Sequence, residues 1–161
     1  MLHSILTVIH TITGVVALIV GLWFMYRLPK RSEPGILFQL YLGSLVLMAA
    51  ALIAVVVLNW PLLATLPRAL FVGLEFLAVY TLYEGLQAQR VLQSHTLIWR
   101  LDFIDHIGFT VTLLLVGFIL ITAMGMNVSV WLVAAGGFAA ILVGRIIVNF
   151  FKHRVVSLPT V

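Results

Sequence analysis

The sequence predicts an all-α, polytopic membrane protein: a bundle of five transmembrane helices, N-terminus outside and C-terminus cytoplasmic. Three observations carry this expectation. The chain is 63% hydrophobic and 9% charged, with a mean hydropathy of +1.22. Soluble domains are about 25% charged, so 161 residues of this composition cannot build a water-facing surface. The apolar residues fall into five continuous runs, 4–26, 36–58, 66–87, 103–124 and 128–150. Each is close to the ~20 residues that carry a helix across the bilayer core. Finally, the basic residues collect on one side of that topology.

The first run has no basic segment before it and no small-residue cleavage site after it, so it reads as a retained span rather than a signal peptide. A charged turn with Pro29 and Pro34 separates it from the second, which ends at Asn59-Trp60-Pro61. Pro67 suits the first turn of the third helix. The stretch 89–100 is the longest polar loop, and Gly125-Met126-Asn127 joins the last two spans tightly. Residues 155–161 read as a short cytoplasmic tail. The runs are continuous rather than alternating, which excludes a β-barrel reading.

One side of this topology holds Arg27, Lys30, Arg31, Arg90, Arg100, Lys152 and Arg154; the other holds only Arg68. Lys/Arg-rich loops stay cytoplasmic, which sets the orientation. Trp60 and Trp131 then belong to the outer interface, and Trp23, Tyr26 and Trp99 to the inner one. The net charge of +4 follows from these short loops and does not indicate nucleic acid. The absence of cysteine excludes disulfides, iron–sulfur clusters and thiol catalysis.

Small residues let helices approach in lipid. Gly136, Ala140 and Gly144 repeat every four residues on the fifth helix, as do Ala50 and Ala54 on the second. Gly14 and Gly21 share a face of the first.

Ionisable groups inside a span are costly and need a partner or a role. Glu75 lies about 13 Å into the third helix at 1.5 Å per residue, near the midplane. His10 lies at a comparable depth in the first helix, so the two are expected to form a buried polar centre. Such a pair could relay protons or simply lock two helices together. Glu84 is nine positions after Glu75, half a turn around the helix, so the carboxylates cannot share a site. Arg145 and Asn149 share a face of helix five, and Glu84 is the expected partner of Arg145. Asp102, Asp105 and His106 open helix four, where the helix dipole favours acidic groups. With Glu84 or His95 added, the same groups could bind a hard metal, but no metal-binding spacing supports that. His10 and His106 invite a b-type haem reading, although their different depths oppose a shared haem. No nucleophile motif or phosphate loop is present.

The order of these features resembles an uncharacterised group of small bacterial multi-helix membrane proteins. The likeness covers residues 9–90 and rests on His10 with Gly14 and Gly21, a basic loop, and Tyr83-Glu84-Gly85, Ala88 and Arg90. Pro34-Gly35-Ile36 stands where that group usually has His-Arg. The resemblance implies a helical bundle in a bacterial membrane and brings no established activity with it; the bacterial cytoplasmic membrane is the expected location. Three functions follow as expectations. The first is an accessory or scaffold membrane protein, as a homo-oligomer or beside another membrane subunit. The second is a small proton- or ion-coupled transporter using Glu75 and His10. The third is a haem or quinone redox protein.

Overall fold

The computed structural model describes residues 2–27, 35–62, 65–94, 98–126 and 129–156. They form α1 (Leu2–Arg27), α2 (Gly35–Asn59), α3 (Thr65–Ser94), α4 (Trp99–Gly125) and α5 (Val130–Val156). A short 3-10 turn, Trp60–Leu62, follows α2. All five helices are long and apolar enough to cross a membrane. Gly35 opens α2 with a φ of +51°, a left-handed value that glycine adopts freely.

The helices outrun the predicted spans most at the basic end. The loop expected at 89–100 is largely helical, because α3 continues to Ser94 and α4 begins at Trp99. No proline or glycine interrupts α3 after Gly85, so the hydrogen-bond ladder continues past the apolar run. Packing rewards the extension: Ala88 is fully buried, and Val91 and Leu92 lie against the core. Likewise α5 takes in Val155 and Val156 from the expected tail, with Phe151 and Val155 against the core. Residues 157–161 lie outside the described residues, as do Lys30, Arg31 and His95.

α4 is the hub. It packs against α1, α3 and α5, while α2 packs against α1 and α3. α5 therefore sits on the far side of α4 from α3. The most apolar stretches of α2 and α4 are each 44% buried, against 17% for α1 and α5. α2 and α4 thus form the centre, and the terminal helices keep broad apolar faces outward.

Four close approaches set the packing. A Cβ on Gly21 would stand 2.7 Å from Val111, and one on Gly85 would stand 2.7 Å from Leu45. Any side chain at Gly108 would collide with Val148, and any at Gly144 with Thr112. Along α5, Gly136 faces Ile119 and Ala140 is buried, so Gly136, Ala140 and Gly144 line the α4 contact. The Ala50/Ala54 expectation fails. Ala50 is exposed, and α2 buries Ala49, Ala51, Leu52, Val55 and Val56 instead. A helix apolar on all sides offers no polar face to mark which side packs inward.

Candidate functional site

The basic ends of α1, α2 and α4 meet in an aromatic cluster. Phe24 packs at 5.9–6.1 Å between ring centroids, tilted against Phe38 and edge-to-face with Tyr41 and Phe103, all of them buried. Beside it lies the most enclosed charged group among the described residues. Glu84, on the flank of α3 that faces α4, is 9% exposed. His106, two turns into α4, meets it with Nδ1 2.7 Å from Oε2. An ionised carboxylate only accepts hydrogen bonds, so the imidazole is assigned as the donor. Charge-assisted bonds of this length are the strong ones.

Local structure aims both groups. Tyr80, one turn before Glu84, brings its hydroxyl toward the carboxylate. Its ring is wedged against Tyr83 and Phe109. Thr110 donates to the His106 carbonyl at 2.9 Å, a back-bond that seats its hydroxyl inside α4. The Tyr41 hydroxyl faces Thr110 and Glu84 from α2, yet it is buried without a hydrogen bond.

The expected His10–Glu75 centre does not form. His10 donates from Nδ1 to the Met48 carbonyl, 3.0 Å away on α2. Glu75 makes no hydrogen bond or ion pair among the described residues, and its side chain is half-buried. The topology explains this. α1 packs on α2 and α4, and α3 packs on the same two helices, so α1 and α3 are not principal neighbours. Glu84 faces α4, so Glu75, half a turn around the helix, faces away from it.

The expected Glu84–Arg145 pair is also absent, because α4 stands between α3 and α5. Arg145 and Asn149 are exposed and line a groove on the α4–α5 seam with Asp105, Phe109, Thr112, Val148 and Lys152. Lys152 Nζ bonds Asp105 Oδ2 at 2.6 Å across the mouth of this groove. Asp102 lies in the first turn of α4, where the helix dipole favours it. The cluster Asp102, Asp105 and His106 is therefore divided. His106 turns to α3, Asp105 to α5, and Asp102 stays at the helix start. The spacing of these groups was visible in the sequence; their division between two neighbouring helices was not.

Among the described residues, no three His, Asp or Glu side chains converge as a metal site. His10 borders a cavity between α1, α2, α3 and α4, lined mainly by Met48, Leu52, Leu74, Leu77 and Phe118. Its volume is about 40 Å³, small beside the roughly 300–1,000 Å³ of ligand pockets. His106 is turned toward Glu84.

No protein family, curated protein or solved structure matches the chain.

Proposed function

We propose that the chain is an integral membrane protein of the bacterial cytoplasmic membrane, with its N-terminus outside and its C-terminus in the cytoplasm. We read it as an accessory or scaffold subunit rather than a transporter or an enzyme. The narrow, apolar interior carries this reading. A coupled transporter needs a polar or water-filled way to a central site. Here the basic end is filled by Phe24, Phe38, Tyr41 and Phe103, and the cavity beyond is small and walled almost wholly by apolar groups. Glu84 and His106 then serve to lock α3 to α4. The outward apolar faces of α1 and α5 suit lipid, a second copy or another membrane subunit.

The orientation rests on charge. Arg27, Arg90, Arg100, Lys152 and Arg154 stand at the end of the bundle where the aromatic cluster lies, while Arg68 stands at the other. Rings brace most of these cations. Arg27 lies 5.2 Å from the Trp23 centroid, Arg100 5.4 Å from Trp99 and Arg68 5.4 Å from Trp60. Amphipathic rings and basic groups at helix ends suit the two bilayer interfaces.

Proteoliposomes under an imposed pH gradient test the function. The expected result is proton flux no greater than in empty vesicles. Flux that disappears in Glu84→Gln or His106→Gln would overturn the accessory reading in favour of transport. A reporter fused after Val161 tests the orientation. It should be active only in the cytoplasm.

A further inference from the structure

Arg145 stands out among the cations. Six arginines lie among the described residues, and five have a partner. Arg27, Arg68, Arg100 and Arg154 lie over aromatic rings, and Arg90 reaches Gln87. Arg145 has neither a ring nor an acceptor among the described residues, and the Asn149 amide one turn along is equally unbonded.

Both groups face the α4–α5 groove, whose volume is about 400 Å³. Within it Asp105 and Lys152 cancel each other's charge, leaving the single positive charge of Arg145. Arg145 lies seven residues before Lys152, about 10 Å deeper along the helix at 1.5 Å per residue. In the proposed topology this is the cytoplasmic leaflet, below the headgroups. A bare guanidinium there is costly unless an anion meets it. The walls are amphiphilic: Thr112 and Asn149 supply polar atoms, while Phe109 and Ile141 are 42% and 48% exposed beside them.

We propose that this groove binds an anionic phospholipid, with Arg145 and Asn149 holding the headgroup phosphate, Lys152 at the rim and an acyl chain along Phe109 and Ile141. A guanidinium presents paired donors that match phosphate oxygens, and the Asn149 amide adds a further donor. A lipid fits better than a free anion because the groove runs along the seam of two spans and sets apolar Phe109, Ile141 and Val148 beside its polar groups. The Asp105–Lys152 bridge offsets the acidic charge in the groove and leaves part of the lysine's donor capacity for the headgroup.

This inference rests on the membrane reading, which alkaline extraction of membranes tests separately. A chain that stays in the membrane pellet yet shows no lipid preference loses only the inference. The test uses the full chain in a neutral detergent, titrated with phosphatidylglycerol, with phosphatidylcholine of the same acyl chains, and with inorganic phosphate. Native mass spectrometry reads retained lipid, and the melting midpoint reads stabilisation. Phosphatidylglycerol should be retained and should raise the midpoint, whereas the other two should not. Arg145→Gln should weaken phosphatidylglycerol binding about tenfold, the value of one lost charge-assisted hydrogen bond. Arg90→Gln, at the exposed end of α3, should leave it unchanged. If Arg145→Gln does not fold, Asn149→Ala in the same titration decides. Equal retention of phosphatidylcholine would overturn the proposal. So would binding of inorganic phosphate alone, or unchanged phosphatidylglycerol binding in the groove variant.

Discussion

Two glutamates nine residues apart on α3 have opposite surroundings. Glu84 is enclosed and bonded to His106 on the neighbouring helix. Glu75 is half-buried, turned half a turn away, and unbonded among the described residues. Depth had pointed to Glu75 as the group most in need of a partner. The fold supplies one to Glu84 instead, because a carboxylate is satisfied by the helix it faces. Nine residues rotate a side chain by 180°, so one α3 flank is polar and locked while the other is free.

The seam on the far side of α4 sets the upper bound for this contrast. Gly144 leaves no room for a side chain beside Thr112. Gly144→Leu forces α4 and α5 apart and is expected to destabilise by about 3 kcal/mol, the upper range for overpacking. Thermal unfolding in detergent measures it. An unchanged midpoint would mean that the seam relaxes without cost.

Next in size is the loss of the α3–α4 lock. Glu84→Leu leaves the half-buried imidazole without its acceptor and should cost about 1–2 kcal/mol. A double-mutant cycle with His106→Leu should return a coupling of about 0.6–1.7 kcal/mol, the range measured for hydrogen bonds between membrane helices. Zero coupling would reduce the 2.7 Å contact to mere proximity.

The smallest effect belongs to the other glutamate. Glu75→Leu removes no bond seen among the described residues, so stability should stay within about 0.5 kcal/mol of the parent, or rise. Equal losses at Glu75 and Glu84 would erase the contrast and give Glu75 a partner beyond the described residues. A loss at Glu75 that appears only at high protein concentration would identify that partner as a second copy.

Composition and periodicity alone settled that this chain forms five long apolar helices. The same information placed the turns between them and showed that the basic residues gather at one end, although α3 and α4 run on into the stretch that reads as a polar loop. These are properties of single segments, set by hydropathy over ~20 residues and by prolines and glycines at the turns. The small-residue repeat of α5 coincides with its packing face, whereas the equally spaced Ala50 and Ala54 of α2 do not. Partnership was not legible in this way. Glu84, Arg145, His10, Glu75, Asp105 and His106 were all conspicuous, yet pairing them by depth alone chose the wrong partners. Depth is one coordinate along the bundle. The order of helices around the axis is the other, and it depends on how five nearly uniform apolar surfaces interlock. That order put α4 between Glu84 and Arg145, kept α1 and α3 from becoming neighbours, and gave His10 a backbone carbonyl and Glu84 a histidine.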